Sequence, residues 1–517
     1  MSVAHIESIR RARNGRTICG PDLAMEDPTV PGGQGPHKRV ARRCPVSAMK
    51  RILIPMGLLF VVAWANCASN DSDTRTEGNH AGTSGIGGDT FGSTSLTSGS
   101  GGASTGSAGA TGAGGATAGT GGGLDGGGGT GGHAGGYTFG SHPLKYPAGT
   151  IQPSGGPGAL DAAVTGYYDR WKAAYVTSGC GGYYIKTGPI EPMAITGSSA
   201  NGAAMIAIAM MAGHDPEAQT VFDGFVAVAR AFPSYLTGHD GLLAYAIYEG
   251  CKRPAEGDST TDGDLDFAFA LLLADNQWGS SGKVDYLAEA KKTITALKPY
   301  DMNPDLKLPR IGDWASLPDE PMVWKTSTKP PFFMMDHFRA YGHATGDTFW
   351  MDCVSTQEAL IARIQSMYAA ATGLLPQFLT NGTTPPTGKL LNDANDGSYY
   401  REAGRIPFRL AADYVVSGDM QTRAALTKIN AWIKMKTGGD PAKIVNGYKL
   451  DGTPIGTSPN MGFVAPFGAG AIIDASNQAW LDAIWKQVTA AGAEDYSADT
   501  AKLLSMLVIS GNWWTPR

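Results

Sequence analysis

Acidic residues at alternate positions open one of the most apolar stretches of the chain. Asp262, Asp264 and Asp266 precede FAFALLLADNQW, which ends at residue 278. Carboxylates so close together can act as general acids or bases, or can hydrogen-bond a polar ligand. An aspartate near a helix N-terminus also caps free amides and suits the helix dipole, which explains one such residue better than three. The spacing therefore predicts a helix entry used for chemistry or for capping, and leaves both open.

Helical periodicity surrounds this segment. Between residues 137 and 517, apolar residues recur at i, i+3, i+4 and i+7, and strand-like alternation is scarce. Predicted helices cover 203–213, 218–232, 265–278, 284–297, 348–371, 405–418, 420–436, 476–491 and 497–510. About ten or more helices in one domain, joined by long Gly- and Pro-rich loops, favour an all-α helical barrel or toroid. Loops at one end of such a barrel would build the site.

The segment 49–67 has the parts of a secretory leader. Basic Lys50 and Arg51 precede the apolar run ILIPMGLLFVVAWA, and Cys67 follows shortly after it. The cysteine makes the segment resemble a bacterial lipoprotein signal, with a lipid anchor at Cys67 as the only membrane contact. Free secretion without a lipid is the alternative. Either way, the pattern predicts export, to the outer cell surface or outer membrane as a lipoprotein or into the medium.

Two further N-terminal stretches look unlike a folded domain. Residues 1–48 are Arg-rich without apolar periodicity, and because a leader should begin near the N-terminus, we expect translation to start at Met49. A long basic presequence is the alternative. Residues 68–136 consist mostly of Gly, Ser, Thr and Ala. They hold too few large apolar side chains to offset chain entropy, which predicts a disordered linker.

The net charge and the cysteine spacing limit which ligands and cofactors the chain is expected to bind. The formal net charge is −5, so the chain lacks the basic excess typical of nucleic-acid binders, and a neutral polymer fits it better. No pair among the six cysteines has the CxxC spacing of a zinc site, and nothing suggests a metal or another cofactor. In an exported protein a disulfide such as Cys180–Cys251 is one option; three buried thiols, including Cys353, are the other.

Several motifs, in one order, resemble glycoside hydrolase family 8. That family contains endo-β-1,4-glucanases, chitosanases, licheninases and xylanases, folds as an (α/α)6 barrel and works by inversion. The resemblance spans nearly all of 137–517, and it implies that fold and the cleavage of internal β-1,4 bonds, with a cellulose-like glucan as the first candidate. The motifs are TTDGDLDFAFALLLADNQW (260–278), IGDW (311–314), FMMDHFRA (333–340), GLLPQF (373–378), EAGRIPFR (402–409) and SGNW (510–513).

The resemblance also implies roles for individual residues. Inverting hydrolysis uses a general acid on the leaving oxygen and a general base that activates water, with the two carboxyls about 6.5–9.5 Å apart. Glu402 matches the family's catalytic base, Arg405 the arginine that orients that region, and Asp262 the aspartate that grips the sugar ring. Chitosan-active members place their base elsewhere, which favours a glucanase type. Asp264, in the same motif, is a further candidate for substrate contact.

The acid position departs from the family. The motif with the catalytic glutamate matches SSANGAAM (198–205), which puts Ser199 where the glutamate would stand. A serine hydroxyl is not an acid at neutral pH. Glu191, upstream on the same connection, is one replacement; Asp264, or an acid from 393–396 (Asp393 or Asp396), is another. An acid misplaced by the gapless alignment and a domain that binds sugar without cleaving it are the remaining options.

Aromatic and histidine residues add weaker signals. Trp314, Tyr245 and Trp324 fall in loops, where their rings would stack on sugar faces or pack in the core. His337 and His343 have a spacing that suits no shared metal on one helix, and we expect His337 to be structural.

Three functional hypotheses follow. The first is an exported, monomeric, inverting endo-β-1,4-glycanase, and the second is a catalytically impaired relative that binds polysaccharide at the cell surface. The third, a structural envelope protein, leaves the retained Asp262, Glu402 and Arg405 without a role.

Overall fold

The computed structural model describes residues 136–188 and 192–516. The predicted leader with Cys67, the extension before it, the linker up to residue 135, and Glu191 lie outside the described residues. Predictions about them are therefore not addressed by the structure.

The described residues are mostly helical. The helices are α1 (Pro157–Tyr175), α2 (Ser198–Met210), α3 (Ala218–Ala231), α4 (Thr261–Trp278), α5 (Tyr286–Tyr300), α6 (Met322–Lys325), α7 (Met335–Thr345), α8 (Phe349–Met367), α9 (Ile406–Ser417), α10 (Met420–Thr437), α11 (Met461–Ala471), α12 (Gln478–Ala490) and α13 (Tyr496–Ile509). Short 3-10 helices cover Asp313–Ser316, Pro330–Phe332, Arg401–Arg405, Pro441–Lys443 and Ala475–Asn477.

Six of the helices form a closed inner ring. In ring order, α2 packs on α4, α4 on α7, α7 on α9, α9 on α11, α11 on α13, and α13 returns to α2. An outer helix covers each inner one: α3 packs on α2, α5 on α4, α8 on α7, α10 on α9, α12 on α11 and α1 on α13. This is an (α/α)6 barrel, so the expected fold is confirmed.

The inner helices have the composition that their position requires. A helix that is apolar on every side must be buried on every side. In α2 (SSANGAAMIAIAM) all residues but Ser199 are buried, and in α13 (YSADTAKLLSMLVI) all residues but Ser497 are buried. Outer helices such as α3 bury one face only, through Val221, Phe222 and Phe225 among others. The apolar and small residues of the inner ring therefore make the core.

Three short antiparallel strand pairs decorate the barrel. They pair β1 (Val176–Gly179) with β2 (Gly182–Ile185), β3 (Ala194–Gly197) with β4 (Ala246–Tyr248), and β5 (Met302–Asn303) with β6 (Leu308–Pro309). Strand β3 leads directly into α2, so its pairing with β4 positions the first turn of that helix. The pairs β1–β2 and β5–β6 are local hairpins, whereas β3 and β4 pair across two intervening helices, and none of the pairs joins a larger sheet within the described ranges.

A disulfide joins two of these strand pairs. Cys180, in the β1–β2 turn, is bonded to Cys251, just after β4, with their Cα atoms 5.3 Å apart. Cys353 is a buried free thiol. Of the two cysteine arrangements that the sequence allowed, the structure has the disulfide.

All nine predicted helices are present, with ends shifted by a few residues. Periodicity missed α1, α7, α11 and the single-turn α6; α11 (MGFVAPFGAGA) contains Pro466 and three glycines, which mask a helical pattern. In the described part of the chain, no helix combines the length and apolar character needed to cross a bilayer.

Candidate active site

A cleft opens where the inner helices begin. Its volume is about 660 Å³, and its walls come from the first turns of α2, α4, α11 and α13 and from the 3-10 turn that leads into α9. Unpaired amides and the helix dipole make these ends favourable for anionic and polar groups. The lining includes Ser199, Tyr245, Thr260, Asp262, Trp314, Lys329, Asn392, Tyr400, Arg401, Glu402, Arg405, Arg409, Asn446, Asn460 and Tyr496.

Ser199 and Asp262 meet across the junction of α2 and α4. The Ser199 hydroxyl donates to Oδ1 of Asp262 at 2.8 Å, and the Thr260 hydroxyl donates to the same oxygen at 2.9 Å. The Asp262 side chain is only 7% exposed. The sequence-predicted acid position therefore holds a hydroxyl that is bonded to a buried carboxyl.

Two glycines make this approach possible. A β-carbon on Gly263 would lie 2.8 Å from the carbonyl carbon of Ser198, and one on Gly202 would lie 2.8 Å from the carbonyl oxygen of Gly263. Real β-carbons do not come this close to backbone atoms, so any larger residue would push α2 and α4 apart. Glycine at both positions lets the two first turns touch.

Glu402 sits in the 3-10 turn before α9, held by two donors. The Lys329 ammonium and the Gln377 side-chain amide both donate to its Oε2, the amide at 2.9 Å. The Gln377 carbonyl in turn accepts the backbone N–H of Ala403 at 3.0 Å, which ties Gln377 to the same turn. Lys329 is buried and lies over the rings of Phe332 and Phe378. The Glu402 carboxylate is thus fixed in place while its side chain stays 36% exposed.

Arg405 lies between Asp262 and the start of α13. Its Nη1 is 3.8 Å from Oδ2 of Asp262, and its Nη2 donates to the Ser497 hydroxyl at 2.9 Å. The structure therefore brings Arg405, Asp262, Glu402 and Ser199 into one cleft, as the resemblance implied.

The two carboxyls of the cleft share the cations Lys329 and Arg405, but their pKa values shift in opposite directions. Burial, and then the nearby Glu402 carboxylate, raise the pKa of Asp262 above its ordinary value. Burial acts the same way on Glu402, but Lys329 and Arg405 outweigh it and lower its pKa to about 2. When the pKa values of two neighbouring carboxyls are shifted in opposite directions, one group can act as an acid while the other acts as a base.

Two of the three aromatic candidates line the cleft. Trp314 and Tyr245 both line it, although each is largely buried. Trp314 also packs edge to face against Trp324, with ring centroids 5.6 Å apart, and Tyr245 contacts the hydroxyl of Tyr248 at 3.2 Å. Trp314 and Tyr245 thus combine packing with a place in the cleft wall, whereas Trp324 is absent from that wall.

Asp264 does not face the cleft, so its predicted contact with substrate does not fit this structure. It is fully buried and accepts the backbone N–H of Leu243 at 2.9 Å. It lies beside Asp301, and burial with this neighbour raises its pKa well above the ordinary value. The helical period explains the placement, because two residues along α4 turn the side chain by about 200°.

Asp266 and His337 form a buried structural pair. His337 Nε2 lies 2.9 Å from Oδ1 of Asp266, its Nδ1 lies 2.8 Å from Oδ1 of Asp336, and its ring stacks on Phe269. Asp266 also accepts from Arg409 at 2.7 Å. His337 is therefore structural, as expected.

The acids of the 393–396 loop are used by the loop itself. Asp396 is buried and accepts four backbone N–H groups, those of residues 390–393, at 2.7–3.1 Å. Asp393 pairs with Arg401 at 2.8 Å. Neither carboxyl lines the cleft. Their use as a replacement acid is therefore not supported.

Sequence reasoning missed Lys329, Gln377 and Thr260 as partners of the carboxyls. Lys329 lies in the loop segment TSTKPPFF, where no periodic pattern distinguishes a buried lysine from an exposed one. Gln377 lies in the motif GLLPQF, but nothing in the sequence shows that its neutral amide donates a hydrogen bond to Glu402. Only the tertiary contacts identify these roles.

Comparisons with known proteins identify the family of this chain. The family model for glycosyl hydrolases family 8 matches residues 159–511. A beta-glucanase from Niallia circulans is 40% identical over 375 residues, which are 72% of this chain and 90% of that protein. An endoglucanase from Bacillus sp. (strain KSM-330) is 38% identical over 369 residues, 69% of this chain and 78% of that protein.

A solved structure shows the same relationship. The apo structure of a beta-1,3-1,4-glucanase from Paenibacillus sp. X4 has a TM-score of 0.69 and 39% identity, and the match covers 73% of this chain and 99% of that one. The family match includes α2 to α13 and every residue of the cleft described above. The chain belongs to glycosyl hydrolases family 8 and is a glycosidase of that family.

Proposed function

We propose that this protein is an exported, inverting endo-glucanase that cleaves internal β-1,4 bonds of a cellulose-like glucan. The observation that carries the proposal is the pair of carboxyls in one cleft, Asp262 and Glu402, whose pKa values shift in opposite directions. The named functions of the relatives, beta-glucanase, endoglucanase and beta-1,3-1,4-glucanase, support a β-linked glucan as substrate.

In this mechanism Glu402 is the general base. Its carboxylate stays ionised because the positive charges of Lys329 and Arg405 stabilise the negative charge. Both hydrogen bonds that the described residues donate to it end on Oε2, which leaves Oε1 free to bind a water. A carboxylate with one such oxygen can orient a water and accept its proton. A sugar in the cleft would contact Asp262 and Arg405, which lie next to that carboxylate.

Export is supported by the disulfide between Cys180 and Cys251, because disulfides persist in oxidising compartments outside the cytosol. The lipid anchor at Cys67 and the monomeric state belong to the same proposal. Fatty-acid labelling that disappears in Cys67→Ala would support the anchor, and light scattering on the purified domain measures the mass in solution.

Reducing-end release tests the enzymatic proposal. The purified chain is incubated with carboxymethyl-cellulose, lichenan, xylan and chitosan, and the glucans are expected to be cleaved fastest. Glu402→Gln and Asp262→Asn should each lower the rate by about 100-fold or more, because each removes a group that acts in the transition state. Release that is unaffected by Glu402→Gln would contradict the assignment of the base.

A second candidate function rests on Ser199, which puts a hydroxyl where family members have a carboxylic acid. A domain without a proton donor would bind polysaccharide at the cell surface without cutting it. Binding to insoluble cellulose, with no reducing ends released from any of the four polymers, would favour this candidate over hydrolysis.

A further inference from the structure

The cleft poses a specific problem of proton supply. Glycoside cleavage needs a proton on the leaving oxygen, and the residue at the family's acid position is Ser199. Its hydroxyl is in the cleft wall, in the first turn of α2, and is 2.8 Å from Oδ1 of Asp262. Because a hydroxyl both donates and accepts hydrogen bonds, it can pass a proton on even though it cannot hold one as an acid.

We propose that Asp262 and Ser199 form a two-residue proton relay, in which Asp262 stores the proton and Ser199 delivers its own hydroxyl proton to the glycosidic oxygen. The relay rests on the proposed function, since it names the proton donor for that hydrolysis. It assigns Asp262 a role beyond contact with the sugar ring, and it gives Ser199 a catalytic role in place of the missing carboxyl.

The surroundings of Asp262 fit a stored proton. Its side chain is 7% exposed, and the charged groups around it include Glu402, Lys329, Arg405 and Arg409. Lys329 donates directly to Glu402, and the nearest Arg405 nitrogen is 3.8 Å from Asp262, so the cations favour ionisation of Glu402 first. Burial and the Glu402 charge then raise the pKa of Asp262. When the two carboxyls hold one proton between them, these opposite pKa shifts favour Asp262 over Glu402 as its site.

The bond from C1 to the glycosidic oxygen breaks, and its electron pair remains on that oxygen, which takes the Ser199 hydroxyl proton. The Asp262 carboxyl proton replaces it on Ser199 Oγ. In the reacting state the protonated Asp262 therefore donates to Ser199 Oγ, which reverses the hydrogen bond that Ser199 donates to the ionised carboxylate. A water oxygen bonds to C1 from the opposite face and loses a proton to Glu402. Asp262 ends ionised and Glu402 ends protonated, and exchange with solvent restores the starting state.

Leaving-group dependence distinguishes the relay from an acid-free site. A 2,4-dinitrophenolate leaves without protonation, whereas phenolate and a sugar need a proton in the transition state. In the native chain, both 2,4-dinitrophenyl and phenyl β-cellobioside should be hydrolysed. Ser199→Ala should lower the rate on phenyl β-cellobioside and lichenan by about 100-fold, the usual contribution of a general acid, and lower the dinitrophenyl rate by only a few-fold.

Two variants control for structural damage. Thr260→Val removes the other hydroxyl that donates to Oδ1 of Asp262, at 2.9 Å, and should leave the ratio of the two aryl rates as it is in the native chain. Ser199→Thr keeps a hydroxyl, so it should retain the native ratio of the two aryl rates. If Thr260→Val changed the ratio as much as Ser199→Ala, the effect would belong to the hydrogen bonding of Asp262 and the relay would be wrong.

The remaining outcomes separate the two proposals. Equal losses on both aryl substrates in Ser199→Ala, or no loss, overturn the relay and leave the hydrolase in place. Native hydrolysis of the dinitrophenyl substrate alone also overturns the relay. No hydrolysis of any substrate by the native chain overturns the proposed function, and the relay with it.

Discussion

Gly263 and Ser198 touch where α4 and α2 begin, and a β-carbon on Gly263 would lie only 2.8 Å from the Ser198 carbonyl carbon. This contact places the adjacent residues, Asp262 and Ser199, within hydrogen-bond distance at 2.8 Å. The pairing of the Asp262 and Ser199 side chains therefore depends on glycine at position 263, because any other residue would place a β-carbon against α2.

Gly263→Ala should separate the two helices at this point. Overpacking of this kind destabilises a domain by about 1–3 kcal/mol, and we expect a lower urea midpoint together with a larger loss of hydrolysis than of folded protein. Gly158→Ala is the matched control, because that glycine lies exposed in α1 with nothing within 4 Å of an added β-carbon. A urea midpoint for Gly263→Ala equal to that of Gly158→Ala would contradict the tight contact.

Lys329 should set the acidic limb of the pH–rate profile. Glu402 must be ionised to act as a base, and its pKa of about 2 keeps it ionised in moderate acid. Removing the Lys329 charge by Lys329→Gln raises the pKa of Glu402, so activity should fall at a higher pH as the solution is acidified. The pKa of Asp262, which Lys329 also lowers, should rise as well and move the alkaline limb in the same direction.

Measurement of kcat/KM between pH 3 and pH 8 checks this shift. Lys443→Gln serves as the control, since Lys443 is 66% exposed and pairs with Asp440 on the 3-10 turn Pro441–Lys443. Both limbs moving upward in Lys329→Gln, with the control unmoved, is the expected result. An acidic limb that stays in place would show that Lys329 does not control Glu402.

Stability should decline as pH rises toward 8. Burial, and then Asp313, raise the pKa of Asp301 from its ordinary value to about 8. The folded chain thus retains a proton that the unfolded chain releases above about pH 4. Between these values the folded state binds more protons, so the free energy of unfolding falls with pH, and Asp301 contributes at most about 1.4 kcal/mol per pH unit.

Asp301→Asn keeps the shape of the side chain and cannot ionise, so it should flatten this slope. Urea unfolding at pH 5, 6.5 and 8 measures it. The native chain is expected to lose stability across the series, while the variant changes less. Parallel slopes for the two proteins would mean that Asp301 is not the group that titrates.

The disulfide should stabilise the β1–β2 hairpin and the β3–β4 strand pair that it joins. It closes a loop between residues 71 positions apart, and chain-entropy estimates for such loops give roughly 2–5 kcal/mol. Cys251→Ser should lower the thermal midpoint by several degrees. Reductant should lower the midpoint of the native chain by a similar amount and leave that of Cys251→Ser unchanged; a native midpoint insensitive to reductant would contradict a structural role.

The sequence predicted more of the fold than of the site. Periodicity located nine helices, because a buried helix repeats its apolar residues whatever it packs against. It missed α11, where Pro466 and glycines hide the repeat, and it could not show which helices form the inner ring. The ring order depends on contacts between residues far apart in the chain, such as α13 against α2.

Side-chain roles divide in the same way. The identities of Asp262, Glu402 and Arg405, and the serine at position 199, were determined by the sequence alone, because residue type and motif order are properties of the chain. Which acids face the cleft was decided by the tertiary structure: Asp264 turns into the core, and Asp396 binds its own loop. The pairing of Lys329 with Glu402, and of Ser199 with Asp262, was also decided there, because a carboxyl's proton affinity depends on the burial and charges that only folding brings together.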